Sequence, residues 1–191
     1  AAEAGRDLLV SAQTGSGKTV AYGLAVAAEL LDAAGRAGRA GPPEVLIVAP
    51  TRELALQVQG ELAWLYASSG VTVVACVGGM DARREARLLA NGAHVVVGTP
   101  GRLRDHLERK QLDASQFKVA VLDEADEMLD LGFREELEFI LDAMPAERRT
   151  LLFSATIAKD IAALAKRYQR DAMRIEASRG VSTKYDQLPE P

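Results

Sequence analysis

The sequence predicts an α/β fold, a parallel sheet of about seven strands with helices on both faces, from three observations. Short apolar runs recur along the chain with little polar alternation, the pattern of strands covered on both faces. Amphipathic helical stripes separate them, and strand-helix alternation of this kind implies parallel pairing through crossovers. The length of 191 residues suits one such domain and not two. At that size folding buries roughly 70% of the unfolded surface, so a core needs no disulfide or metal.

The first strand is expected at Asp7–Val10, followed by the glycine-rich string Ala12 to Thr19 and directly by a helix. Gly35 to Pro43 reads as a surface loop, on Gly/Pro content, whose two arginines leave nucleic-acid contact open beside a plain solvated loop. Val45–Ala49 is the second strand. Leu54, Val58, Leu62 and Leu65 then mark a helix by their spacing, and Trp64 and Tyr66 within it are expected to pack rather than to stack bases. Further strands are expected at Val71–Val77, His94–Gly98, Lys118–Leu122, Thr150–Phe153 and Met173–Glu176. Helical stripes at Phe133, Leu137, Ile140 and Met144, and at Ile161, Leu164, Ala165 and Tyr168, fill the later gaps. The expected domain runs over residues 1–178, and residues 179–191, without periodicity, read as a linker or tail.

Ala12-Gln13-Thr14-Gly15-Ser16-Gly17-Lys18-Thr19 fits a phosphate loop except that Ala12 stands where the general pattern has glycine. Gly15 and Gly17 let backbone N–H groups turn toward phosphates, and the helix start adds partial positive charge. Lys18 supplies an ammonium and Thr19 a hydroxyl for Mg²⁺. A triphosphate site also needs an acidic element. Asp123, at the end of the run Val119 to Leu122, stands where a metal-holding carboxylate belongs, and Glu124 can take a proton from attacking water. The plainer alternative is an acidic helix start favoured by the dipole. The sole asparagine, Asn91, is followed by Gly92, so the Asn-Lys-x-Asp element of guanine-specific switches is missing.

Pro50 to Gln57 (PTRELALQ), Gly78-Gly79, Thr99 to Leu103 (TPGRL), Asp123 to Asp126 (DEAD) and Ser154-Ala155-Thr156 occur in that order. With the phosphate loop they make the chain resemble the amino-terminal RecA-like domain of a DEAD-box ATP-dependent RNA helicase, over Leu8 to about Glu176. The resemblance implies a P-loop motor domain that uses ATP and Mg²⁺. It puts Lys18 and Thr19 on phosphates and metal, Asp123 on the metal through water and Glu124 on the attacking water. Asp126, Ser154 and Thr156 would form the coupling contact. Pro50, Thr51, Arg52, Gly79, Thr99, Gly101 and Arg102 would grip an RNA backbone, and Asp105 a ribose hydroxyl. Both arginine motifs follow strands and precede helices, which suits phosphate binding without base reading; the alternative for each threonine is helix capping. The resemblance also implies an upstream adenine-reading segment and a second RecA-like domain, and neither is expected within these residues. Residues 1–191 are therefore expected to be a monomeric piece with poor ATP-over-GTP preference, weak RNA binding and little ATPase of its own.

The net charge of −4 excludes a globally basic nucleic-acid binder, so any RNA contact must be local. The single cysteine, Cys76, lies in an apolar run and fits a buried thiol in a reducing cytosol, hence a cytoplasmic protein. No apolar stretch reaches membrane-spanning length. Two other readings remain at this point: a DNA-directed translocase, against which the DEAD and TPGRL strings argue, and a non-enzymatic ATP-dependent RNA clamp, against which intact Lys18, Asp123 and Glu124 argue.

Overall fold

The structure is a computed structural model and describes residues 5–13 and 17–176. Thr14, Gly15 and Ser16 of the phosphate loop and the expected tail from residue 179 lie outside the described residues.

The strands are β1 (Leu8–Ser11), β2 (Val45–Val48), β3 (Val73–Cys76), β4 (Val95–Gly98), β5 (Val119–Leu122), β6 (Arg149–Ser154) and β7 (Met173–Glu176). The helices are α1 (Lys18–Ala25), α2 (Ala27–Leu30), α3 (Arg52–Leu65), α4 (Ala82–Ala90), α5 (Pro100–Glu108), α6 (Ala125–Asp130), α7 (Arg134–Asp142) and α8 (Lys159–Tyr168). All strands pair in parallel in the order β3-β4-β2-β5-β6-β1-β7. Each apolar run of the sequence is thus a strand.

Alternate residues of each central strand serve opposite faces, as the pleat requires. Val45 and Ile47 of β2 join Val58 and Leu62 of α3 and Tyr22 of α1 in one core. Leu46 and Val48 of the same strand join Leu103 of α5, Met128 of α6, Ile140 of α7 and Ile161 of α8 in the other. Covering on both faces is why these strands carry no polar alternation. Each such aliphatic side chain removed from water contributes about 2 kcal/mol against chain entropy.

Boundaries shift where polar groups end a strand. Asp7 is outside β1; its buried carboxylate accepts from the Thr150 and Arg170 amides at 2.8 and 2.7 Å, tying β1 to β6 and to the turn before β7. Trp64 corrects an expectation: it is 73% exposed, whereas Tyr66, two residues on, is buried and donates to the Gly23 carbonyl of α1. α3 turns its buried side toward Ala55, Val58 and Leu62, and Trp64 falls outside that stripe. The Gly35–Pro43 segment is a surface loop, pinned by bridges from Leu31 to Ala37 and from Gly41 to Ala93. No helix among the described residues is long and apolar enough to cross a membrane.

Gly98 ends β4 in a place without room for a side chain. A Cβ there would lie 2.6 Å from both the Cys76 carbonyl oxygen and Leu103 Cδ2. Gly98→Ala should therefore lower the unfolding free energy by about 2 kcal/mol, read from urea denaturation.

Candidate functional site

The carboxyl ends of parallel strands face one edge of the sheet, where helix starts and loops converge. Spatial order along this edge differs from chain order. The loop after β1 is two strands from the end of β5, with β6 between them, while the loops after β3, β4 and β2 lie side by side on the other half. The candidate residues thus divide into two groups.

In the first group, Lys18 opens α1 immediately after Gly17, whose φ of 75° is the left-handed conformation glycine accommodates. Its ammonium is 2.9 Å from Asp123 Oδ1 and 3.4 Å from Glu124 Oε1. Asp123 is fully buried; burial pushes its carboxyl above the usual range, while the Lys18 charge and the Tyr22 hydroxyl pull the other way. Glu124 sits at φ 49° and ψ 52°, a left-handed backbone that a non-glycine residue adopts at a cost of roughly 1–3 kcal/mol. That kink carries the chain from β5 into α6 while leaving Asp123 and Glu124 both facing Lys18. Glu127, one turn on, has its carboxyl raised chiefly by a hydrogen bond shared with Glu124. Asp126 receives a hydrogen bond from Thr156 Oγ1 at 3.4 Å, and Ser154 Oγ donates to the Thr156 carbonyl at 2.6 Å. The Ala12 amide donates to the Ser154 carbonyl at 2.9 Å, so the phosphate loop, the DEAD string and the Ser-Ala-Thr turn are joined by direct bonds.

In the second group, two arginines converge on the loop after β3. Arg52 Nη1 occupies the space beside Gly79, 2.8 Å from where a Cβ would be, and Gly79 has φ 81°. Arg102 donates from both Nη1 and Nη2 to the Met80 carbonyl, each at 3.1 Å, and from Nη1 to Glu85 Oε1 at 3.0 Å. The two threonines part company. Thr51 Oγ1 accepts from the Leu54 amide at 3.2 Å and caps α3, whereas no side chain caps α5, which follows Thr99 with Pro100 at its first turn. Pro50 is buried, Gly101 is exposed, and Asp105 pairs with Arg109 at 3.0 Å on the outer face of α5.

Comparison with known proteins agrees with this geometry. The sequence model of the family described as DEAD/DEAH box helicase matches residues 1–164. The chain belongs to that family. Over 175 residues it is 44% identical to the ATP-dependent RNA helicase CshA of Listeria monocytogenes, covering 91% of this chain and 32% of that protein. Over 166 residues it is 46% identical to the DEAD-box ATP-dependent RNA helicase CshA of Geobacillus kaustophilus, covering 87% and 34%. The chain thus spans about a third of the length of these curated relatives. A crystal structure of a DEAD box protein from the hyperthermophile Methanococcus jannaschii superposes with a TM-score of 0.82 at 38% identity, over 91% of this chain and 46% of that one. The all-parallel sheet is the RecA-like domain of DEAD-box proteins.

Sequence reasoning missed one part of the family's edge. Glu85, inside the arginine-rich α4, is 2% exposed. It accepts from the Val77 amide at 2.9 Å and from Arg102, and its Oε1 is 2.8 Å from His106 Nε2. The other nitrogen of His106 is 2.8 Å from Gln111 Oε1. Nothing in the string Ala82 to Ala90 marks one acid among three arginines as internal; the signal would have been the Asp81 cap, which accepts from the Arg83 amide at 2.9 Å and sets the helix phase. Cys76 adjoins this cluster, and burial with the Glu85 charge pushes its thiol up to about 12, the inert thiol expected. Glu85→Ala would leave Arg102 and His106 without their shared acceptor in the core. A loss of about 3–5 kcal/mol is expected in urea denaturation, against a smaller loss for Glu85→Gln.

Proposed function

We propose that this chain is the ATP-binding motor domain of an ATP-dependent RNA helicase, coupling ATP hydrolysis to RNA binding and local duplex unwinding. The observation that carries the reading is Lys18 held between Asp123 and Glu124, with Thr156 bonded to Asp126 at the same edge. Support also comes from relatives named ATP-dependent RNA helicases at 44% and 46% identity.

On this reading residues Ala12 to Thr19 receive the phosphates, with the Lys18 ammonium moving from the carboxylates to the phosphate oxygens. Thr19 and Asp123 are hard oxygen donors, and the buried Asp123 Oδ1 faces the Lys18 ammonium at 2.9 Å, so the set fits Mg²⁺ once that ammonium turns to the phosphates. Held there, Mg²⁺ would supply positive charge to the phosphate oxygens. Glu124 accepts a proton from water as its oxygen bonds to the γ-phosphorus and the bond to the bridging oxygen breaks, giving ADP and phosphate. Asp126, Thr156 and Ser154 carry the state of this half of the edge toward the rest of the motor. A second RecA-like domain in the whole protein would supply further charge to the γ-phosphate.

RNA is assigned to the other half of the edge, through Pro50, Thr51, Arg52, Gly79, Thr99, Gly101, Arg102 and Asp105. Within that set the roles differ. Arg52 and the uncapped start of α5 are available to phosphates, while Arg102, engaged by Met80 and Glu85, holds the Gly79–Met80 loop in place. Such contacts touch backbone and sugar and imply sequence-independent binding.

In the full-length protein, Glu124→Gln should retain ATP and RNA binding within about twofold and cut RNA-stimulated ATP turnover by about a hundredfold or more, the range for a lost general base. Parental turnover in that variant would remove Glu124 from the role. Arg52→Ala should weaken binding to all single-stranded RNAs alike and reduce the salt dependence of the affinity by about one counterion. A titration against potassium chloride with two unrelated RNA sequences measures both.

A further inference from the structure

Tyr22 follows Thr19 by three residues on α1, so both side chains lie on one face of the helix. It is 1% exposed, and its ring meets Phe153 of β6 edge-on, with centroids 5.2 Å apart. An aromatic ring fills this space with or without a hydroxyl. The hydroxyl has a separate place: Tyr22 Oη is 3.1 Å from Asp123 Oδ2 and 3.4 Å from Thr19 Oγ1.

The hydrogens can be assigned by valence. A phenol carries one hydrogen, a carboxylate only accepts, and a threonine hydroxyl can do either. Tyr22 therefore donates to Asp123 Oδ2, and the contact with Thr19 is satisfied when Thr19 donates to Tyr22. A tyrosine phenol, with an ordinary pKa of about 10, carries this hydrogen at neutral pH. The chain Thr19–Tyr22–Asp123 has two consequences. Thr19 turns its hydrogen toward Tyr22 and its lone pairs away from it. Asp123 has Oδ2 engaged by Tyr22, which leaves Oδ1 to the Lys18 ammonium at 2.9 Å, the group the phosphates would draw away.

We propose that Tyr22 is a positioning residue for the divalent cation that accompanies the triphosphate: one hydroxyl, bonded to both Thr19 and Asp123, turns Thr19 Oγ1 and Asp123 Oδ1 toward the cation. This rests on the assignment of Thr19 and Asp123 as its holders. Outer-shell partners of this kind fix ligand orientation before the cation arrives, and their loss weakens metal affinity rather than phosphate contact.

The test is equilibrium binding of a fluorescent ADP analogue to the chain, first in EDTA and then across a MgCl₂ titration, for the parent and for Tyr22→Phe. The variant keeps the ring against Phe153 and removes only the hydroxyl. Binding in EDTA is expected to agree within about twofold, while the Mg²⁺ concentration that half-saturates the gain in affinity rises about tenfold, the lower end for a lost outer-shell partner. Equal Mg²⁺ midpoints would overturn the proposal, as would a parallel loss of binding with and without Mg²⁺, which marks a merely structural role. Asp123→Asn separates the two levels of the argument. It should abolish the Mg²⁺-dependent gain; a gain that survives in Asp123→Asn overturns the metal assignment itself, whatever Tyr22→Phe does.

Discussion

An ammonium 2.9 Å from a carboxylate with no exposed surface is the interaction on which the edge of this sheet depends. Removing such a pair from water costs on the order of several kcal/mol per ion, and mutual attraction offsets that only where geometry and further hydrogen bonds are good. Lys18 and Asp123 come from chain positions more than a hundred residues apart, one at the start of α1 and the other at the end of β5. Their meeting needs β6 to lie between β1 and β5 and needs the Glu124 backbone to turn left-handed. On the proposed reading, phosphate oxygens entering the loop would compete with Asp123 and Glu124 for one ammonium, redirecting charge already gathered in the protein.

The second half of the edge is built on a different principle. A neutralised internal network, Glu85 with Arg102, His106 and the Val77 amide, fixes a loop whose glycine lies against Arg52. Hydrogen bonds to charged groups in the interior are strong and costly to leave unmade, so this arrangement has one geometry. The loop it fixes lies against Arg52, a local cationic group on a chain of net charge −4. The two halves meet at β2 and β5, adjacent strands whose ends carry Pro50-Thr51-Arg52 and Asp123-Glu124. The Asp123 amide donates to the Val48 carbonyl at 2.9 Å, so the ends of β2 and β5 share a backbone bond at the boundary of the two halves.

How much of this was legible beforehand depends on the range of the interaction. Hydrophobic runs are local, and every expected strand is present to within a few residues, because burial on both faces removes polar residues from the run itself. The helix containing Leu54, Val58 and Leu62 followed from periodicity, yet the same periodicity did not place Trp64, which lies one step off the stripe and is exposed. For Arg102, expected as an RNA-backbone contact, the motif fixes identity and position but not what the guanidinium touches within the fold. Its partners, Met80 and Glu85, come from the loop and helix before β4.

The sequence by itself determined the fold class, the family and the identities of the groups at the edge, since composition of a strand or of a phosphate loop is dictated by local backbone geometry and burial. The spatial order of the strands was decided only by the tertiary structure. That order sorts Lys18, Asp123, Glu124, Thr156 and Asp126 to one half and Arg52, Gly79 and Arg102 to the other. The tertiary structure alone also brought the Tyr22 hydroxyl onto Asp123 and buried Glu85 against Arg102 and His106 while the three arginines of its own helix stay exposed. The reason is the same in each case: the partner of a buried charge is chosen by packing across the sheet, over distances in sequence that no local pattern spans.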